Sequence, residues 1–136
     1  MKYNYLKQQG RDPQAAWVAR PHVPVFLIGQ KKTDAPFYAL LDSGADQVLM
    51  PSDLGVYIGI NNIKGGRREQ TIGIASQSTY VYFHNIKIQL TGDARELSIS
   101  VGFGDDILVP LLGRSFFKHF KEIVFRESKE EVELKY

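Results

Sequence analysis

At 136 residues the chain is sized for one domain. Its composition, 43% hydrophobic and 24% charged, allows a modest core without disulfide or metal staples. The lack of cysteine excludes disulfides and thiolate metal sites, and a formal charge of +2 is too small to argue for nucleic acid or membrane as a partner.

The opening stretch "MKYNYLKQQGRDPQ" holds no apolar segment of signal-peptide length. No later run approaches the ~18 apolar residues of a membrane span. The expectation is a soluble, cytoplasmic protein. The opening dozen residues are polar, and residues 1–21 read as an N-terminal segment, loose or at a dimer interface, ahead of a domain over 22–136. From "HVPVFLIG" onward the chain becomes a series of short apolar runs: "FYALLD", "QVLMP", "QTIGIA", "TYVYFHNIKIQL", "ELSISVGF", "ILVPLL", "EIVF" and "EVELKY". All carry the β-branched and aromatic enrichment of strands. Alternation is clearest in "HNIKIQL" and "ELSISV", each with one apolar and one polar face. Only "RSFFKHFKE", residues 114 to 122, has helical spacing, with Phe116, Phe117 and Phe120 on one face. The chain closes in a hairpin with "RESKE" as its turn. Many short strands separated by turn signals predict an all-β sandwich or barrel.

One position stands out. Asp42 follows the apolar run Phe37-Tyr38-Ala39-Leu40-Leu41 and precedes Ser43-Gly44-Ala45. An acid at the end of a buried strand is costly unless paired, hydrogen-bonded or protonated. Gly44, without a Cβ, lets the backbone approach the carboxylate, and Ser43 offers a hydroxyl to tie the loop down. The ordinary explanation is an Asx-type turn, in which the carboxylate caps nearby N–H groups. The chemical one is a carboxylate that shares a proton with a second acid facing it and activates a water.

"ALLDSGADQVLMP" together with "VPLLGRSFF" resembles the retroviral and retropepsin-like aspartic proteases, including their bacterial single-domain relatives. The shared pattern is an apolar stretch, Asp-Thr/Ser-Gly-Ala, an intervening flap hairpin, then two apolar residues and Gly. The resemblance covers roughly residues 22 to 126. It implies an all-β fold, a closed acid-protease (retropepsin-like) barrel with one short C-terminal helix. It matches Asp42 to the catalytic aspartate, with Ser43 bonding across to the partner loop and Gly44 and Ala45 beside the substrate. Asp46 matches an acid that contacts substrate and pairs with the arginine of the later motif, here Arg114. Gly113 packs beneath the loop, on a strand holding Leu111 and Leu112. "TIGIASQSTYVY" is the flap candidate, with Ile74, Ala75, Ser76 and Gln77 near its tip, and "KGGRR" stands before it as a base.

Counting then matters. The sequence holds one Asp-Ser-Gly, so a dyad requires a homodimer with Asp42 from each copy at the twofold axis. The terminal segments would supply interface strands, as they do in that family. The reading is a homodimeric aspartic endopeptidase acting on a peptide or protein substrate, with no cofactor and no metal. Its rival is the same fold kept as a dimerisation or peptide-binding module. His22, His84 and His119 are too far apart in sequence to favour zinc, and read as packing or surface residues. The basic clusters Lys31-Lys32 and Arg67-Arg68 read as solvated loop charge and not as a nucleic-acid surface.

Overall fold

A computed structural model of the chain describes residues 1–136 except 11, 13, 15 and 73–77. In chain order the strands are β1 (Lys2–Asn4), β2 (Leu6–Gln8), β3 (Val18–Arg20), β4 (His22–Ile28), β5 (Phe37–Leu41) and β6 (Val48–Pro51). They continue with β7 (Arg67–Ile72), β8 (Ser78–Leu90), β9 (Leu97–Gly104), β10 (Leu111–Leu112), β11 (Glu122–Arg126) and β12 (Glu131–Lys135). Two short helices, α1 (Ser52–Tyr57) and α2 (Arg114–Phe117), interrupt them.

Period-two patterning decides which face goes inward. Along β8, Ile86, Ile88 and Leu90 are buried while Asn85 and Lys87 are exposed. The same rule buries Val23, Val25 and Leu27 of β4 and Leu97, Ile99, Val101 and Phe103 of β9. These faces curl into a closed barrel of six strands, ordered β4-β5-β10-β6-β9-β8, with β8 returning to pair with β4. Closure removes the free edges that an open sheet would present. The long β8 extends past the barrel, where its first half pairs with β7 as an antiparallel hairpin.

Strand order fixes one local feature that matters later. β10 is parallel to β5 and antiparallel to β6, and lies between them. The C-terminal end of β10 therefore adjoins both the end of β5 and the start of β6. The loop joining β5 to β6, residues 42–47, must cross directly over Gly113.

Several features differ from the sequence reading. The N-terminal residues are not loose: β1 pairs with β12, and β2 pairs with β3. Tyr5 between them is buried, which supplies the apolar anchor that a composition-based reading overlooks. α1 is a helix where only turn residues were expected; Pro51 ahead of it and Gly59 just beyond it, at φ 96°, are its start and stop signals. α2 is shorter than the 114–122 expected. After Phe117 the chain tightens into three-residue turns, and Lys121 is drawn to the Lys135 carbonyl at the start of the terminal sheet. Of "ILVPLL" only Leu111 and Leu112 are strand, whereas Leu108 and Val109 are exposed loop. Arg67 and Arg68 belong to β7 and not to a loop. The closing hairpin lies where it was read, with β11 and β12 joined through Glu127–Lys129 and a left-handed Glu130.

Among the described residues no helix is long and apolar enough to cross a membrane.

Candidate active site

The loop after β5 is shaped by its own side chain. The Asp42 carboxylate accepts the Gly44 N–H at 2.9 Å, and the Ala45 N–H donates to the Asp42 carbonyl at 3.2 Å. This is the Asx-type turn that the composition of the loop predicts. A Cβ on Gly44 would stand 3.2 Å from Asp42 Oδ1, so the close approach depends on glycine there. Asp42 is half-buried, and its backbone N–H donates to the Leu112 carbonyl at 3.0 Å. β10 thus holds the base of the acid in place.

Gly113 is the floor. A Cβ at that position would meet the Gln47 carbonyl oxygen at 2.3 Å, the Ala45 carbonyl oxygen at 2.6 Å and the Gln47 nitrogen at 2.8 Å. All three are backbone atoms of the crossing loop, so no rotamer change could relieve the clash. Beyond Gly113 the chain stitches itself to the same loop. The Arg114 N–H donates to the Ala45 carbonyl at 2.8 Å, and the Ser115 N–H donates to the Asp46 carbonyl at 2.9 Å. The Arg114 guanidinium also pairs with the Asp46 carboxylate. With side chains 61% and 75% exposed, that ion pair contributes about 1 kcal/mol at most; the backbone stitches carry the geometry.

Above the loop lies an open cleft of about 1420 Å³. Its floor is Asp42, Gly44, Ala45, Asp46 and Gln47, with Leu49 and Leu111 behind them. Its roof is the β7–β8 hairpin, which turns Glu69, Thr71, Thr79 and Val81 toward the cleft while the Arg68 guanidinium lies over the Tyr80 ring, 4.8 Å from its centroid. A third wall is the loop after β9, through Asp106 and Ile107. Two side-chain bonds span the opening. Gln47 Nε2 donates to Glu69 Oε2 at 3.3 Å, and Thr79 Oγ1 donates to Asp106 Oδ2 at 2.8 Å.

The structure therefore brings Asp42, Gly44, Ala45, Asp46, Leu111, Leu112, Gly113 and Arg114 together. Ser43 is exposed at the tip of the loop. Ile74, Ala75, Ser76 and Gln77 lie outside the described residues. Sequence reading missed Gln47, Glu69, Thr79 and Asp106. Inward alternation along β7 and β8 could have flagged Glu69 and Thr79, but only the fold folds the Asp105-Asp106 turn back onto the cleft. The histidines stay apart: His22 is buried on β4, and His84 bonds the Ile63 carbonyl at 2.7 Å at the base of the hairpin. Among the described residues no three His, Cys, Asp or Glu side chains gather as a metal site.

The cleft thus holds an acid on a glycine loop, buttressed by a second glycine and roofed by a hairpin. The family model described as retroviral aspartyl protease matches residues 18–124, and the chain belongs to that family. No curated protein sequence matches it. Among solved structures it is similar to a retropepsin-like aspartic protease from Rickettsia conorii, at 16% identity and a TM-score of 0.63, over 98% of this chain and 96% of that one. It is also similar to the retroviral protease-like domain of Ddi1 from Leishmania major, at 15% identity and a TM-score of 0.58, over 86% and 89% of the two chains. At such identities these likenesses establish the fold, a retropepsin-like barrel.

Proposed function

We propose that the protein is a homodimeric aspartic endopeptidase in which two Asp42 carboxylates, one from each copy, activate the attacking water. The observation that carries this reading is the position of Asp42, half-buried at the floor of the cleft and held there by Leu112, Gly44 and the Gly113 crossing. The sequence holds a single Asp-Ser-Gly, so an equivalent acid has to come from a second copy. Brought against its twin, it would share a proton, because two adjacent carboxylates cannot both ionise. The ionised member takes a proton from water as the water attacks, and the protonated member polarises the peptide carbonyl. Proton return to the leaving nitrogen then breaks the C–N bond, with no acyl-enzyme formed.

The β7–β8 hairpin serves as the flap that covers an extended peptide and excludes water. The second copy docks along a free strand edge. β12 is paired on both sides within its own chain, by β1 and β11, which leaves β1 and β11 as the outer edges of that sheet. The β11 strand lies near α2, the helix that follows Gly113, since Phe117 of α2 packs against Phe125 of β11 with ring centroids 6.4 Å apart.

A second reading, the same fold acting as a peptide-binding module, is compatible with the likeness to a domain described as protease-like. The discriminating experiment is digestion of a diverse peptide mixture at several pH values by wild type and Asp42→Asn, with sedimentation in the same buffers. Cleavage whose rate per chain rises with protein concentration, and which falls to background in a dimeric Asp42→Asn, is the expected result. A folded dimer that cuts nothing at any pH hands the case to the binding module. A stable monomer sinks the dyad.

A further inference from the structure

The charged residues that line the cleft are all acids: Asp42, Asp46, Glu69 and Asp106. The hairpin tip, residues 73–77, reads Gly-Ile-Ala-Ser-Gln and adds no charge. The chain as a whole carries +2, so the cleft opposes the sign of the molecule. Two of the four acids are already answered by cations. Arg114 pairs with Asp46, and Arg67 pairs with Glu69. Asp42 is reserved for the dyad. Asp106 is left: its bond is to a neutral hydroxyl, Thr79, and among the described residues no cation lies within ion-pair distance of it.

The surroundings of Asp106 have the form that a long cationic side chain needs. Val81 and Ile107 both pack close to Gly104, where a Cβ would meet Val81 Cγ1 at 3.0 Å and Ile107 Cγ1 at 3.1 Å. Val81 is buried behind this corner of the cleft, and half-buried Ile107 gives it an apolar surface next to the exposed Asp106. Lysine and arginine bury their methylene stems on apolar surface while the charged head reaches a polar rim. A neutral side chain of the same length would gain the apolar surface but not the carboxylate. A glutamate would be repelled.

We infer that Asp106 is a specificity-determining residue that selects peptides carrying lysine or arginine near the bond to be cut. This rests on the proposed endopeptidase reading, and deepens it by naming the substrate class. Twofold symmetry supplies a second Asp106, so the preference extends to both sides of the scissile bond.

The test compares matched peptides that carry lysine, norleucine or glutamate at one position, lysine and norleucine sharing the stem and differing in charge. Cleavage is read as the ratio of kcat/KM within each pair for wild type, Asp106→Asn and Asp106→Lys. The same pairs with a reduced, uncleavable bond are titrated onto the Asp42→Asn protein, with and without Asp106→Asn. Because each ratio is taken within one protein sample, partial loss of folded material cancels. The lysine advantage is expected to fall about fivefold or more in Asp106→Asn, to shrink with added salt in wild type, and to turn to a glutamate advantage in Asp106→Lys. A lysine advantage that survives Asp106→Asn, or a wild-type preference for norleucine or glutamate, overturns the inference. If no peptide is cut, the endopeptidase reading fails on its own, and the uncleavable pairs still decide the role of Asp106.

Discussion

At the scale of single residues, the site depends on glycine more than on charge. Asp46 and Arg114 attract attention as an ion pair, yet both are solvent-exposed and worth little to stability. Gly113 has no chemistry, yet three backbone atoms of the Asp42 loop lie within 2.8 Å of where its Cβ would be. Gly113→Ala is therefore expected to displace the loop, destabilise the fold by about 1–3 kcal/mol and remove activity even in material that stays folded. Urea melts beside peptide cleavage check this; an alanine variant with wild-type turnover would show that the loop tolerates the shift. Arg114→Lys should be far milder, because the Arg114 contribution to the loop is mainly its backbone N–H.

At the scale of elements, the terminal three-stranded sheet departs from a simple picture of loose ends. β12 pairs with β1 through Lys2–Asn4 and with β11 through Glu122–Arg126, and buries Val132 and Leu134 between them. Tyr5, buried just after β1, donates its hydroxyl to Glu127 at 2.7 Å, and its backbone N–H donates to the Glu130 carbonyl at 2.7 Å. The N-terminal strand is thus clamped to the closing hairpin at two levels. Tyr5→Ala should cost about 3–5 kcal/mol, the range for removing a buried aromatic side chain. Denaturant titration reads that loss directly, and an unchanged midpoint would mean that β1 is only loosely held. The roof hairpin is secured differently: among the described residues, the Gln47–Glu69 and Thr79–Asp106 side-chain bonds tie it across the cleft.

At the scale of the whole molecule, stability should decline toward acid pH in two separate windows. Burial pushes the His22 imidazole below its ordinary 6.5, partly opposed by a backbone hydrogen bond to Arg20. The unfolded chain therefore binds a proton that the native barrel resists, and stability is lost as pH falls from about 6.5 through the lowered native value. Glu133 acts lower down. The hydrogen bond from Arg126, at 2.7 Å, holds its carboxyl below the usual 4.5, so its contribution is present above that value and is lost as pH falls through the lowered one. His22→Gln cannot titrate and should flatten the first decline while leaving the second. Thermal melts between pH 7 and pH 4 measure it; parallel curves for wild type and variant would remove His22 from the account.

Much of this was legible in the order of residues. Alternation along β8 and β9 is a local property of the chain, and it named the buried faces because a pleated strand must put successive side chains on opposite sides. The Asp42-Ser43-Gly44 loop was legible for the same reason, since an aspartate two residues ahead of a free N–H makes its turn without outside help. The strand count and turn signals carried the fold class. Other features have no local cause. That Gly113 lies under the loop follows from β10 entering between β5 and β6, a placement set by pairings across some seventy residues of sequence. That Asp106 and Glu69 face Asp42 follows from barrel closure, which curls the ends of β7 and β9 over one opening. The sequence by itself determined most of the strands and the Asx-type turn at Asp42. Only the tertiary structure decided which glycine bears the loop and which acids share its cleft, because these depend on distances between strands that meet only after the barrel has closed.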